Sequence, residues 1–288
     1  MPDRNNLPML SAHIVAAAVR AALDEDLGRL GDITSAAVVP ADATARGAIV
    51  TRRPGVLAGM ALAEAAFLTV DPGVAFRAKA RDGEAVGAGA VVARVDGEAR
   101  AILAAERVAL NFLCHLSGIA TATAALVARV AHTSARITDT RKTTPGLRAL
   151  EKYAVRCGGG WNHRFGLDDA ILIKDNHIAV AGGVIPAIER ARAAAGHMVK
   201  VEVEVANLDQ LTEAMVAGPD VVMLDNMTPA DMREAVQLVA GRAVVEASGN
   251  VTPETVAAIA DTGVDVISSG WITHSASALD LALEVAVG

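Results

Sequence analysis

VKVEVEVANLDQLTEAMVAGPDVVMLDNMTPADMREAVQLVAGRAVVEASGNVTP, residues 199–253, is the stretch on which the fold turns. Val199 to Val205, Val221 to Leu224 and Ala243 to Glu246 are short Val-rich runs, of the kind that parallel strands covered on both faces require. Between them the apolar residues return at helical spacing. Asn207 and Gln210 form a capping box for the first helix, and Gly218-Pro219 stops it. Asn226-Met227-Thr228-Pro229 and Asn250-Val251-Thr252-Pro253 lie 24 residues apart, each with Thr as N-cap and Pro in the first helical turn. One strand and one helix therefore occupy each repeat.

Working outward, the same rhythm takes in Arg136 to Asp139, Ala170 to Ile173 and Val264 to Ile267, which makes six βα units. Such units build either an open doubly wound sheet or a barrel. We expect a barrel, TIM-like but incomplete, because about 150 residues is short for eight units of ~250. Before it, Ile14, Val15, Ala18, Val19 and Ala22 mark an amphipathic helix ending near Asp24 to Gly28. From Ala48 to Val95, Val-rich runs alternate with turns at Pro54-Gly55, Pro72-Gly73, Asp82-Gly83 and Asp96-Gly97, which predicts small antiparallel strands and an N-terminal α+β sandwich. The expected division is 1–115 for the sandwich, joined by a C-terminal helix at 275–288, and 116–274 for the barrel.

The formal net charge of −7 argues against a nucleic-acid partner, which needs an extended basic face. The segment Arg136 to His177 reverses the sign, with eight Lys/Arg against five Asp/Glu, as a local site for a small anion would. Cys114 and Cys157 have neither CxxC spacing nor a disulfide-dense pattern and read as buried thiols. Apolar stretches are read as broken by charge before membrane-spanning length, so a soluble, cytoplasmic protein without a membrane segment is expected.

Polar groups at the C-terminal ends of buried strands need a reason, and here nearly every end has them. They run Asp139-Thr140-Arg141-Lys142, Lys174-Asp175, Glu202 and Glu204, Asp225-Asn226, Glu246 with Ser248-Gly249-Asn250, and Ser268-Ser269-Gly270. Six units converging on one face make one site. The last two ends place Ser and Gly before expected helix starts, a setting that favours phosphate. Arg141, Lys142, His163, Arg164 and Lys174 supply donors for carboxylates or a pyrophosphate. Glu204 and Asp225 would face a polyphosphate through a bridging Mg²⁺, or else form a salt-bridge network with the nearby lysines. His163 and, less strongly, His274 stand out among histidines that show no zinc spacing. Arg107 falls with Leu103, Leu110 and Cys114 on one helical stripe, a charge on an apolar face.

The segments ERVALNFLCHLSGIAT, DTRKTTPGLRALEKYAVRCGGGWNHR, ILIKDNH, VEVEV, MLDN, EASGN and SSGWITHS resemble, in order and spacing, those of quinolinate phosphoribosyltransferases, from Glu106 to Ser275. The resemblance implies a two-domain chain working as a homodimer or hexamer with shared active sites. It also implies a reaction in which quinolinate and phosphoribosyl pyrophosphate, with Mg²⁺, give nicotinate mononucleotide, pyrophosphate and carbon dioxide. By the same resemblance Arg107, Thr140, Arg141, His163, Arg164 and Lys174 would hold quinolinate. Lys142, Glu204 and Asp225 would address phosphoribosyl pyrophosphate and its metal, and Ser248, Gly249, Asn250, Ser269 and Gly270 its 5′-phosphate, with His274 nearby. Lys142, Lys174, Glu204 and Asp225 form the expected catalytic set. Ala206 departs from the acidic residue that many relatives carry after VEVEV. Two rival readings are a pyrophosphorylase-like protein of molybdenum transport, with an altered basic set, and a lipoyl-type carrier with its hairpin tip at Asp96-Gly97, which lacks the carrier's lysine.

Overall fold

The computed structural model describes Leu7 and residues 9–287, which separate into two compact units. The first comprises residues up to Ala124, Thr144–Gly159 and Ala276 onward; the second comprises Ala125–Thr143 and Gly160–Ser275.

The first unit begins with helices α1 (Ala12–Leu27) and α2 (Ile33–Val38). Val15, Val19 and Leu23, at four-residue spacing, make the buried stripe of α1. Asp32 caps α2 by accepting the Thr34 and Ser35 N–H groups at 3.0 and 2.9 Å. There follow β1 (Thr44–Thr51), β2 (Gly55–Val56), α3 (Met60–Val70), β3 (Ala75–Ala78), β4 (Ala85–Val86), β5 (Val91–Glu98) and the long α4 (Ala99–Arg129). The main sheet is antiparallel, in the order β12-β1-β5-β3, where β12 is the C-terminal strand Leu281–Val287.

Three expectations are corrected here. The C-terminal segment joins this unit as a strand, not a helix: Leu281, Leu283 and Val285 alternate along an edge paired with β1, and that pairing overrides the helix propensity of Leu, Ala and Glu. Asp96-Gly97 lies inside β5, paired with Arg46 and Ala45, so it is no hairpin tip; a Cβ on Gly97 would meet Val74 at 3.2 Å. Helix α4 contains no Asp, Glu, Lys or Arg from Val108 to Ala128, so by length and composition it matches a membrane span. Its Leu113, Leu116, Ile119 and Leu126 are fully buried, however, as in the core helix of a water-soluble fold.

The second unit is the incomplete barrel: six parallel strands in the order β6-β11-β10-β9-β8-β7, with β6 (Arg136–Thr138) and β7 (Ile171–Ile173) at the two edges. Between them run β8 (Val201–Val205), β9 (Val221–Asp225), β10 (Val244–Ser248) and β11 (Val266–Ser268). Helices α6 (Asp175–Ala181), α7 (Val184–Ala194), α8 (Leu208–Ala217), α9 (Pro229–Val239) and α10 (Val256–Ala260) link the strands and α11 (Trp271–His274) follows the last of them, whereas α5 (Arg148–Cys157) belongs to the first unit. Two of the three caps read from sequence form: Asn207 accepts the Gln210 N–H at 2.9 Å, and Thr228 accepts that of Asp231 at 3.2 Å. The third does not: α10 begins only at Val256, after Thr255, so Thr252 and Pro253 lie in the turn before it. Because successive residues of a strand face opposite ways, Val201, Val203 and Val205 share one face of β8 and Glu202 and Glu204 the other.

Candidate active site

Strand alternation builds the site in layers. In the register of the sheet, Thr138, Ser268, Ser248 and Asp225 lie side by side across four strands, and Glu204 lies beside Met223. A cavity of about 550 Å³ opens above these residues at the C-terminal ends of the strands. Thr140, Arg141, Lys142, His163, Arg164 and Lys174 form part of its wall, together with Glu204, Asp225 and Ser248. An adjoining cavity of about 360 Å³ adds Gly249, Asn250, Ser269, Gly270 and His274. The residues that the resemblance assigns to the site therefore lie in one unit around joined cavities, except Arg107, which is exposed on α4 in the first unit; of the other charged strand ends, Asp139, Glu202 and Glu246 are buried and Asp175 lies outside the cavity linings.

Asp139, fully buried at the end of β6, organises the basic wall. It accepts Asn162 Nδ2 at 2.6 Å and the His163 N–H at 2.9 Å, which pins the Gly-rich segment against the strand. Arg164 Nη1 donates to the Ala170 carbonyl at 3.1 Å, which helps aim its guanidinium. Burial, and then the neighbouring Arg141 guanidinium, pull the Arg164 pKa below its usual value, while Glu202 and Asp169 oppose them. Two like charges held together at a cavity wall form a site that a dianion relieves.

The carboxylates show both features that the sequence left open. Glu204 is ion-paired with Lys174, as the salt-bridge reading requires, yet both groups also line the cavity. Asp225 accepts Asn226 Nδ2 at 3.0 Å and faces the same space. Two carboxylates on adjacent strands lining one cavity offer the oxygen ligands that a hard cation such as Mg²⁺ takes.

The phosphate-binding expectation needs two physical corrections. The helices after Gly249 and Gly270 have only five and four residues, so their dipoles contribute little. Ser269 is 2% exposed, its N–H bonded to the Thr138 carbonyl and its hydroxyl to that of Val251, so it braces the loop from inside. Gly249 and Asn250 line the adjoining cavity, where Asn250 Nδ2 donates to Asn226 Oδ1 at 3.3 Å. His163 is corrected likewise: it lines the cavity, but Nδ1 accepts the Arg164 N–H at 2.8 Å and Nε2 lies 3.1 Å from Glu202, so neither ring nitrogen is offered to a ligand. Leu172 and Met223, to which the sequence assigns no role, also line the cavity, as does Asn226 beside Asp225. Leu172 and Met223 carried a detectable signal, since they share the strand face of Lys174 and Asp225.

Two family models match the chain: the N-terminal domain of quinolinate phosphoribosyl transferase over residues 32–117 and its C-terminal domain over 119–284. A probable nicotinate-nucleotide pyrophosphorylase [carboxylating] of Bacillus subtilis (strain 168) is 46% identical over 261 residues, 91% of this chain and 90% of its own. The nicotinate-nucleotide pyrophosphorylase [carboxylating] of Mycobacterium leprae (strain TN) is 44% identical over 93% of this chain and 95% of its own. The solved nicotinate-nucleotide pyrophosphorylase of Francisella tularensis superposes with a TM-score of 0.93 at 42% identity, covering 98% of this chain and 99% of that one.

Proposed function

The chain belongs to the quinolinate phosphoribosyltransferase family, and from that premise we propose how its residues divide the work of the reaction. Its activity is that of a carboxylating nicotinate-nucleotide pyrophosphorylase, a pentosyltransferase of NAD biosynthesis. The substrates are quinolinate and phosphoribosyl pyrophosphate. The molybdenum-transport reading is not favoured, and the basic set that it would alter is present on one wall.

One observation carries the assignment of roles. A single pair of joined cavities has guanidinium and ammonium groups on one side, glycine and asparagine loops on the other, and two carboxylates between them. We assign the dicarboxylate to Arg141, Arg164 and Lys174, with Thr140 and the ring face of His163 beside it. The 5′-phosphate goes to Ser248, Gly249, Asn250 and Gly270, near His274. Lys142 takes the pyrophosphate, with Glu204 and Asp225 as the carboxylates that would hold Mg²⁺ beside it. Mg²⁺, when bound, supplies positive charge to the leaving group. The pyridine nitrogen forms its bond to the ribose as the bond to pyrophosphate breaks, through an oxocarbenium-like centre, so positioning and charge matter more than a strong nucleophile. Loss of carbon dioxide then leaves an electron pair on the ring carbon, which takes up one proton. Incubation with both substrates and Mg²⁺ tests the reading by the appearance of nicotinate mononucleotide. We place the enzyme in the cytoplasm, as a homodimer or hexamer in which Arg107 completes a neighbour's site.

Two predictions follow from this division. Glu204→Gln with Asp225→Asn should weaken phosphoribosyl pyrophosphate use and blunt the Mg²⁺ dependence of the rate. A double variant with unchanged metal response would return both residues to a purely structural ion-pair role. Gly249→Ala should raise the KM for phosphoribosyl pyrophosphate more than that for quinolinate. Gly249 has φ +99°, and an added Cβ would fall 2.1 Å from Asn226 Oδ1, so the loop must move. Equal changes in the two KM values would assign the loop elsewhere.

A further inference from the structure

Below the basic wall, His163, Glu202 and Glu246 meet inside the barrel. His163 Nε2 is 3.1 Å from Glu202 Oε2 and 3.6 Å from Glu246 Oε1. The two glutamates are 7% and 3% exposed, on strands β8 and β10, and among the described residues Oε1 of each has no hydrogen-bond partner. Carboxylates are rarely buried this deeply, and a pair of them with unsatisfied oxygens is costly unless it serves the site above. Burial, and then the charge of Glu202, hold the Glu246 carboxyl well above the usual carboxylate range, with His163 opposing.

The ring's other end decides what the cluster does. Nδ1 receives the Arg164 N–H at 2.8 Å, which requires its lone pair. A neutral ring so placed carries its hydrogen on Nε2, directed at Glu202. The three ligand atoms lie within 4.8 Å of one another, as they would around a transition metal. An Nε2 that bears hydrogen has no lone pair to donate to a metal, however, and moving that hydrogen to Nδ1 would break the bond to Arg164.

We propose that Glu202 and Glu246 are positioning residues that clamp His163 as its Nε2–H tautomer. Through Nδ1 the clamp fixes the main chain of Arg164, whose guanidinium meets a substrate carboxylate. Glu202 accepts the ring hydrogen; Glu246 stands behind it and keeps the imidazole from swinging away. The charge of Glu202 also steadies Arg164, since it favours the charged guanidinium. This inference rests on the reading that the basic wall takes the dicarboxylate.

The test separates the clamp from that reading. Nitrogen-15 NMR of the ligand-free full-length protein should show His163 as the Nε2–H tautomer in wild type and as a mixture of the two neutral tautomers in Glu202→Leu. In steady-state kinetics Glu202→Leu should raise the quinolinate KM about tenfold to a hundredfold, with that for phosphoribosyl pyrophosphate within about twofold. Glu202→Gln, whose amide oxygen still accepts the ring N–H, should recover most of the loss. If the leucine variant does not fold, Glu246→Gln and Glu202→Ala carry the same comparison. An Nδ1–H tautomer in wild type overturns the clamp, as does a parallel rise in both KM values or a Glu202→Gln variant no better than leucine. Tight calorimetric binding of Zn²⁺ by wild type, lost in Glu202→Leu, would replace it with a metal site. A clamped tautomer in a protein that fails to bind quinolinate would instead condemn the assignment of the basic wall.

Discussion

Arg164→Ala is expected to lower kcat/KM for quinolinate by about two to three orders of magnitude while leaving the fold intact. Removing one partner of a desolvated charge pair typically costs ~2–5 kcal/mol, and each ~1.4 kcal/mol is a factor of ten in rate. Arg164 is only partly exposed, its Nη1 is steered by the Ala170 carbonyl, and its charge is already disfavoured by burial and by Arg141. A carboxylate that lands there gains more than one at a free surface arginine would. The same reasoning sets substrate preference: wild type should use quinolinate far better than nicotinate, because nicotinate leaves one guanidinium unpaired in the closed site. In Arg164→Ala that preference should narrow sharply. Equal turnover of the two acids by wild type, or an undiminished preference in the variant, would remove Arg164 from the carboxylate site.

The barrel and the rim of its site were legible because one physical rule governs both. Parallel strands covered on each side must be apolar, so the charges in VEVEV and at the ends MLD and EAS had to face something other than core. The same alternation assigns a face but not a depth. Glu204 and Glu202 are therefore indistinguishable in sequence, although one lines the cavity and the other lies beneath it. The partners of His163 were illegible for a related reason, since they come from strands far apart in the chain. In the N-terminal unit local signals misled. Met60 to Val70 lies between glycine-containing turns, in a region whose rhythm predicts strands, yet its alanine-rich stretch forms α3. The segment after Ala276 has helix-forming residues, but a free edge beside β1 recruits it as a strand. Tertiary pairing outweighs propensity in the second case; in the first, local helix propensity prevails over the spacing of the turns.

Mixing two inactive variants is expected to restore activity, if Arg107 serves a neighbouring subunit. Arg107 is the one residue of the expected site that lies outside the barrel unit, and its side chain is exposed on α4 between buried Ala105 and Val108. A charge kept at the border of an apolar face is satisfied either by solvent or by an anion that another copy brings to it. In a two-fold dimer, a contribution from one subunit to its partner is returned, so each site contains one chain's Lys142 and the other chain's Arg107. Arg107→Ala and Lys142→Ala should each be inactive alone. In a mixed dimer, one site then carries both changes and the other carries neither. Random reassortment of equal amounts makes about half of the dimers mixed, so activity should return to roughly a quarter of wild type. Demonstrated exchange of subunits, with differently tagged chains recovered together and no activity regained, would place Arg107 within its own chain's chemistry or in packing alone. Recovery near one quarter fixes the sharing, because no arrangement confined to single chains restores a wild-type site.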